Sequence, residues 1–204
     1  GDVCGSIELL LGSGLTVVPV AASGTGVMEM ALWNLVEPGE TVFVVSAGKF
    51  GDRWVTMARA RGCETVVHTI RQGASFKADH VVEKIRAHPE VTTLLFTSTE
   101  TSTLVRHPVE ECAERLSDHP CFVVCDAIST VGAEPFKPAK HGIDAVVIGA
   151  QKGLMGPPGL SFLAVGEQAI DRARTIDSNT VYFDLETALT RLARDGQTPW
   201  TPPM

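Results

Sequence analysis

Short apolar runs rich in β-branched residues alternate along this chain with segments whose apolar residues recur at helical spacing. The runs that we predict as strands are residues 16–20, 41–45, 64–70, 92–97, 122–126, 145–149 and 160–165. The segments that we predict as helices are 26–35, 53–61, 78–87, 109–116, 167–174 and 185–194. Strands that are apolar on both faces and alternate with helices are typical of a parallel sheet covered on both sides. We therefore predict an α/β fold with three layers, α-β-α, around a mostly parallel sheet.

The composition is that of an ordinary globular protein and argues against two classes of partner. The 204 residues are 44% hydrophobic and 20% charged, which allows a substantial core. The formal net charge is −7 and the basic residues are scattered, so we expect neither nucleic acid nor a membrane surface as a partner. No apolar run reaches the roughly 20 residues that a transmembrane helix needs.

The cysteines, histidines and first residues bear on the compartment and on metals. The five cysteines are odd in number and show no CxxC spacing, which favours free thiols in a reducing cytoplasm. The first four residues lack the basic segment of a signal peptide, so we expect none. The six histidines show no metal-ligand spacing, and we expect no metal site.

Two residues of opposite charge stand where predicted strands end. Lys152 comes three residues after the run 145–149, and a lysine at the edge of a core costs free energy unless something uses it. Asp126 ends the run 122–126, where its alternative role is to cap a nearby turn. The carboxyl ends of strands in such a sheet face one crevice. Pyridoxal 5′-phosphate (PLP) needs this pair, because a lysine holds it covalently and a carboxylate keeps its pyridine nitrogen protonated.

Ser23-Gly24-Thr25-Gly26 lies between a predicted strand and a predicted helix. The two glycines let the backbone approach a ligand closely, and a helix N-terminus offers free N–H groups to an anion. The hydroxyls of Ser23 and Thr25 add donors, so the segment suits a phosphate. The alternative is an N-cap followed by a tight turn.

Further side chains suited to a flat cofactor follow other strands. Phe50, after the run 41–45, could stack on a ring, or else fold onto the core as a loop aromatic. Residues 97–103 are seven polar residues, six of them with hydroxyls, that could bond a ring hydroxyl, or else form a solvated loop capping the next helix. Ile128, two positions after the acid, could pack on the ring face opposite to Phe50.

Seven short blocks together resemble the class V PLP-dependent aminotransferases of fold type I. In chain order they are Ala-Ser-Gly-Thr-Gly (22–26), Ser-Ala-Gly-Lys-Phe-Gly-Asp-Arg (46–53), Glu-Thr-Ser-Thr (100–103), Cys-Asp-Ala-Ile-Ser (125–129), Gly-Ala-Gln-Lys-Gly (149–153), Pro-Pro-Gly (157–159) and Gly-Gln-Thr-Pro-Trp-Thr-Pro-Pro (196–203). No block is specific alone, but seven in register are. Within the family, the chain is similar to the alanine/serine–glyoxylate (or pyruvate) aminotransferases. The resemblance implies the large domain of a fold type I PLP transferase.

The resemblance also implies a role for each residue around the cofactor ring. Lys152 would carry the cofactor and shuttle protons, and Asp126 would bind the pyridine nitrogen. Phe50 occupies the position of the aromatic that stacks on the ring, and Ile128 would pack on the opposite face. Ser102 would approach the ring oxygen.

For the phosphate, the resemblance implies ligands from two subunits. The ligands from this chain would be Ser23, Gly24, Thr25 and Gln151. Thr198 and Thr201 fall where the family reaches across a homodimer to the neighbour's phosphate. Ala150 stands where the family frequently has serine, which puts one phosphate contact in doubt. Leu104 stands where it usually has glycine, which could close part of the substrate side.

The resemblance implies a domain division as well. Residues 1–196 would be the PLP-binding large domain without its N-terminal segment, and 197–204 would begin the linker to an absent small C-terminal domain. That domain carries the arginine that binds the substrate carboxylate in the family. The abrupt, proline-rich end of this chain fits such a fragment.

The implied activity is transfer of an amino group between a small amino acid, alanine or serine, and glyoxylate or pyruvate. One alternative is another class V PLP enzyme, such as an aminoethylphosphonate aminotransferase or a cysteine desulfurase. Desulfurases usually have histidine before the lysine, where this chain has Gln151. The other alternative is a non-catalytic subunit that keeps the PLP fold.

Overall fold

The computed structural model describes residues 3–201, and a seven-stranded sheet lies at its centre. The strands of this sheet are β1 Thr16–Val20, β2 Thr41–Ser46, β3 Glu64–Thr69, β4 Val91–Thr97, β7 Phe122–Asp126, β8 Ala145–Gly149 and β9 Ser161–Val165. Their order across the sheet is β1-β9-β8-β7-β4-β2-β3. A separate short hairpin pairs β5 Thr99–Glu100 with β6 Val105–Arg106.

All strands of the large sheet except β9 run in one direction. β3, β2, β4, β7 and β8 pair in parallel. β9 is antiparallel to both β8 and β1, so β1 runs the same way as β8. The prediction of a mostly parallel sheet is therefore confirmed. Its consequence for function is that six chain segments leave the sheet at the same edge, after β1, β2, β3, β4, β7 and β8.

Helices cover both faces of the sheet. They are α1 Val3–Leu11, α2 Gly24–Leu35, α3 Lys49–Arg61, α4 Ala78–Arg86, α5 Val109–Glu114, α6 Glu167–Ala173 and α7 Leu185–Asp195, with a 3₁₀ turn at Pro138–His141. Buried residues of α1, α4 and α5 form one core with the sheet, and those of α2, α3, α6 and α7 form a second core on its other face. The three-layer α-β-α prediction is confirmed.

The alternation of side chains along β7 decides which layer its last residue faces. Val123 and Cys125 belong to the core beneath α1, α4 and α5, whereas Val124 belongs to the opposite core. Because successive side chains of a strand point to opposite faces, Asp126 lies on the side of α2 and α3. The acid is thus directed toward the two helices that follow β1 and β2.

Most predicted elements lie within a few residues of their observed bounds, with two differences near the sheet's carboxyl edge. The helix predicted from residue 53 begins at Lys49, so Phe50 stands in a helical turn and not in a loop. The hydroxyl-rich segment 97–103, read as part of a strand end and a loop, contains β5 and leads into the turn of the hairpin.

Two further points concern the limits of the chain. None of the helices within residues 3–201 has the length and apolarity needed to cross a bilayer. The predicted domain division at residue 196 rests partly on residues 1–2 and 202–204, which lie outside the described residues.

Candidate active site

A cavity of about 170 Å³ opens at the carboxyl edge of the sheet. Its lining comes from the segments that follow β1, β2, β4, β7 and β8, and consists of Ser23, Gly24, Thr25, Phe50, Arg53, Thr99, Thr101, Asp126, Ile128, Ser129, Gln151 and Lys152. The structure therefore brings together eight residues that the sequence predicted for one site, from four separate parts of the chain. A crevice at this edge is where open α/β sheets bind ligands.

The start of α2 forms one end of the cavity and is built to receive an anion. The Ser23 hydroxyl caps the helix by accepting the N–H of Gly26 at 3.3 Å. The N–H groups of Gly24 and Thr25 find no acceptor in the described part of the chain. A Cβ at Gly24 would overlap Cδ1 of Ile128, so a larger residue there would have to displace the end of that side chain. Ser23 is therefore an N-cap, the alternative considered from the sequence. Two donors remain available beside it, and phosphate binding by this segment stays a prediction.

Asp126 supplies a buried carboxyl group on the opposite side of the cavity. The residue is 3% exposed, and its Oδ1 accepts the backbone N–H of Ile128 at 3.0 Å. Burial raises the pKa of Asp126 to about 7, against smaller lowering effects from the Ile128 hydrogen bond, Arg53 and Lys152. A positive group bound in the cavity would favour the ionised carboxylate. The contact with Ile128 is the turn cap considered from the sequence, and it leaves Oδ2 available.

Lys152 stands on the loop after β8, at the mouth of the cavity. Its side chain is exposed, and no hydrogen bond or ion pair joins its ammonium group to another residue between 3 and 201. The expectation that this lysine would be costly because of burial is therefore wrong, since the loop turns it out of the core. A side chain at Gly153 would stand 2.6 Å from the Ala133 amide nitrogen, so the loop packs tightly beside the lysine. No partner within residues 3–201 therefore holds the Lys152 side chain away from a ligand in the cavity.

Phe50 reaches the cavity because a buried acid holds the first turn of α3. Glu100, 1% exposed, accepts the backbone N–H of Phe50 at 3.0 Å and that of Gly51 at 3.1 Å. The Ser102 hydroxyl donates to the same carboxylate and accepts the N–H of Lys49 at 3.1 Å. Ser102 is not part of the cavity lining, so its contact with a ring oxygen stays a prediction.

Four lining residues were not assigned from the sequence. Thr101 bonds Ser129 through their hydroxyls at 2.6 Å, and Thr99 lies beside them. Arg53 donates to the Thr25 hydroxyl at 2.6 Å, and its guanidinium carbon lies 4.8 Å from the centre of the Phe50 ring. Arg53 and Phe50 are three positions apart, which would have placed them together had the helix been predicted to begin at residue 49.

Thr198 and Thr201 lie outside the cavity lining of their own chain. The Thr198 hydroxyl donates to the carbonyl of Trp200 at 2.6 Å. Trp200 in turn stacks on Tyr182 with ring centres 5.6 Å apart, and Tyr182 donates its hydroxyl to the carbonyl of Ala21. These contacts tether the C-terminal segment near the start of α2. Their predicted reach into a neighbouring subunit stays a prediction.

The residues present fit PLP. Free N–H groups at the start of a helix suit its phosphate, and a Cβ at Gly24 would fill the space next to the Ile128 side chain. A buried carboxyl group suits a protonated ring nitrogen, and an unpaired lysine at the mouth suits the aldehyde. Across residues 3–201 no cluster of three or more His, Cys, Asp or Glu side chains could hold a metal ion.

Known proteins resemble this chain in sequence and in fold. Two curated relatives are each 31% identical to the chain: a soluble hydrogenase 42 kDa subunit of Anabaena cylindrica, over 100% of the chain and 54% of the relative, and the L-aspartate–glyoxylate aminotransferase of Paracoccus denitrificans, over 90% and 47%. The crystal structure of an alanine–glyoxylate aminotransferase from a Nostoc species matches with a TM-score of 0.91 at 25% identity, over 99% of this chain and 54% of that one. The chain spans about half the length of these relatives. The family model described as "Aminotransferase class-V" matches residues 17–188, and the chain belongs to this family.

Proposed function

We propose that the chain is the cofactor-binding part of a PLP-dependent transaminase that moves an amino group between alanine or serine and glyoxylate or pyruvate. The observation that carries the proposal is the single cavity that unites an unpaired lysine, a buried carboxyl group and a helix N-terminus with free donors. The similarity to glyoxylate aminotransferases supports the class of substrates.

PLP, when bound, supplies a ring that withdraws electrons from the bonds at the substrate α-carbon. The carboxylate of Asp126 holds a proton on the ring nitrogen, and the hydrogen bond from Ile128 fixes the orientation of that carboxylate. Phe50 and Ile128 pack against the ring. The backbone N–H groups of Gly24 and Thr25 bind the phosphate, together with the hydroxyl of Ser23 and the amide of Gln151.

Lys152 has two tasks. Its Nζ would hold the cofactor covalently, and as a free amine it would take the proton from the substrate α-carbon. An amine without an ion-pair partner suits both tasks, because no ion pair has to be broken before its nitrogen reacts. The loop packed against Ala133 keeps Nζ at the mouth of the cavity.

The remaining parts of the site come from outside this cavity. Thr198 and Thr201 contact the phosphate in a second copy of the chain, so the active form is a homodimer. Residues 1–196 correspond to the large domain, and residues 197–204 begin the linker to a small domain that binds the substrate carboxylate. The contacts of Trp200 with Tyr182 hold the start of this linker in place.

Reduction with borohydride tests the proposal. Purified full chain is incubated with PLP, reduced, digested and analysed by mass spectrometry, with Lys152→Ala and Lys49→Ala as a matched pair of variants. Lys49 is an exposed lysine at the start of α3, close to the same cavity. We expect the pyridoxyl group on Lys152 in the wild type and in Lys49→Ala, and none in Lys152→Ala. An adduct on Lys49 would refute the assignment.

A second candidate function is that of a subunit without transaminase activity. The specific observation in its favour is that the whole of this chain aligns with about half of a protein described as a hydrogenase subunit. A single-turnover assay with alanine, followed by absorbance, separates the two candidates. Conversion of PLP to its pyridoxamine form supports the transaminase, whereas an unchanged PLP spectrum supports the subunit.

A further inference from the structure

Arg53 is the one arginine in the lining of the cavity, and neither the sequence blocks nor the proposed mechanism gives it a task. It lies in α3, one turn after Phe50, with its side chain half-buried. Its Nη1 donates to the Thr25 hydroxyl at 2.6 Å, and its guanidinium carbon lies 4.8 Å from the centre of the Phe50 ring. Arg53 therefore touches both the phosphate cradle and the aromatic that is expected to stack on the ring.

The hydrogen bonding of Arg53 differs from that of two other arginines that stack on aromatic rings. Arg61, over Trp33, donates to three backbone carbonyls, and Arg172, over Phe122, donates to a carbonyl and to the carboxylate of Glu40. Arg53 has one hydrogen bond, to a neutral hydroxyl, and no ion pair within residues 3–201. Four of the five N–H donors of a guanidinium thus remain for a ligand.

Arg53 adds to the positive charge that already surrounds this end of the cavity. Thr25 belongs to the first turn of α2, where the helix dipole concentrates partial positive charge. The Arg53 guanidinium adds a full positive charge at the same place, and Lys152 adds another to the cavity wall. Asp126 is the acidic residue of the lining. It attracts Arg53 and Lys152 electrostatically, but no hydrogen bond or ion pair joins it to Arg53. An anion with two negative charges would balance these groups.

We propose that Arg53 binds the phosphate group of the cofactor and makes the cavity selective for the phosphorylated form. Guanidinium groups bind phosphate through paired, charge-assisted hydrogen bonds, and the ring of Phe50 holds this one in a fixed orientation. The Thr25 hydroxyl, fixed by Arg53, becomes a second ligand of the same phosphate. The proposal rests on the proposed function, because it takes the phosphate to be that of PLP.

The test compares Arg53→Met and Arg53→Lys with Arg59→Met. Arg59 is a matched control, since it lies on the same helix, is exposed and also donates to a threonine hydroxyl, that of Thr65. Dissociation constants for PLP and for pyridoxal, which lacks the phosphate, are measured by absorbance titration of the full chain. Arg53→Met should weaken PLP binding by roughly 10- to 100-fold and change pyridoxal binding by less than about twofold. Arg53→Lys keeps the charge, so its dissociation constant for PLP should lie between those of the wild type and Arg53→Met. Arg59→Met should bind PLP as the wild type does.

Other results would overturn the proposal. Equal losses for PLP and pyridoxal would mean that Arg53 only holds Phe50 and Thr25 in place, and unchanged PLP binding in Arg53→Met would mean that it has no role. Circular dichroism and the melting temperature show whether each variant folds. If Arg53→Met does not fold, the comparison of PLP with pyridoxal is made on Arg53→Lys.

Inorganic phosphate as a probe separates this proposal from the proposed function. If the wild type takes no PLP on Lys152, the transaminase assignment fails, yet binding of inorganic phosphate that Arg53→Met abolishes would still support the anion site. If the wild type and Arg53→Met bind inorganic phosphate equally, Arg53 is not its ligand, whatever the fate of Lys152.

Discussion

The carboxylate of Glu100 accepts the backbone N–H of Phe50 at 3.0 Å, although the two residues stand 50 positions apart. It also accepts the N–H of Gly51 at 3.1 Å and that of Ser102 at 3.2 Å. A buried anion at the first turn of α3 complements the dipole of that helix. This contact joins strand β5 of the hairpin to the helix that carries Phe50 and Arg53, so Glu100 fixes the position of the first turn of that helix beside the cavity.

The first prediction concerns the stability that Glu100 contributes. Glu100→Ala leaves several buried N–H groups without an acceptor, and we expect the free energy of unfolding to fall by about 3 kcal/mol. Glu100→Gln keeps an acceptor oxygen but turns an NH₂ group toward backbone donors, so it should lose less. Urea unfolding of the cofactor-free protein measures both. Glu83→Gln, an exposed change on α4, should stay within about 0.5 kcal/mol. Equal effects at positions 100 and 83 would contradict the capping role.

A second prediction concerns Leu104, which adopts a left-handed backbone with φ of 56° although it is 85% exposed. That conformation costs a residue with a side chain about 1–2 kcal/mol. Glycine removes this cost, but its greater freedom in the unfolded chain offsets part of the gain in stability. Leu104→Gly should therefore raise the free energy of unfolding by about 0.5–1 kcal/mol. Val181→Gly is the control, because Val181 is 78% exposed but has no positive φ. Thermal unfolding should show opposite shifts, and equal shifts would speak against backbone strain at Leu104.

The sequence was sufficient to predict the sheet and much of the site because both follow from local patterns. Each strand is an apolar run with a defined end, and parallel strands place those ends at one edge. Asp126 and Lys152 could therefore be paired before any contact was known. The Ser23 segment carried its own signal, since glycines between a strand and a helix indicate close approach to a ligand.

What the sequence could not show depends on contacts between distant segments. The first turn of α3 is held by Glu100 from the hairpin, a contact that the local sequence does not show. The sequence pattern therefore predicted the start of the helix at residue 53 and not at Lys49. With Phe50 placed in a loop, its neighbour Arg53 had no reason to join the site. The exposure of Lys152 also depends on packing, because it results from the loop that rests against Ala133.

The third prediction concerns the C-terminal segment. Thr198→Ala and Thr201→Ala together should weaken PLP retention in the dimer by roughly tenfold, since each removes a hydroxyl expected to reach the neighbour's phosphate. Neither hydroxyl lines the cavity of its own chain, so the effect should disappear under conditions that dissociate the protein into monomers. Dialysis followed by absorbance measures the retained cofactor. Thr190→Ala, an exposed change on α7, is the control. Unchanged retention in the double variant would exclude the cross-subunit contact.

The fourth prediction concerns the pH dependence of stability and Asp126. Burial raises the folded-state pKa of this carboxyl to about 7 from an ordinary 3.8. The folded state therefore holds the proton more tightly than the unfolded state, so the contribution to stability is complete below pH 3.8 and is lost as pH rises through 7. The difference of about three pKa units corresponds to about 4 kcal/mol above pH 7. Asp126→Asn has no proton to lose and should not show this decline.

Urea unfolding of the cofactor-free wild type and of Asp126→Asn between pH 4 and 8 tests this expectation. The comparison uses the difference between the two proteins, so that titration of other groups, which both share, cancels. The free energy of unfolding of the Asn variant, relative to that of the wild type, should increase as pH rises from 4 to 7 and stay constant above pH 7. Adding PLP should reduce this difference in stability, because a protonated ring nitrogen beside Asp126 stabilises the ionised carboxylate of the wild type. Parallel stability curves with and without PLP would mean that Asp126 is not the cofactor's acid and serves only to cap the turn at Ile128.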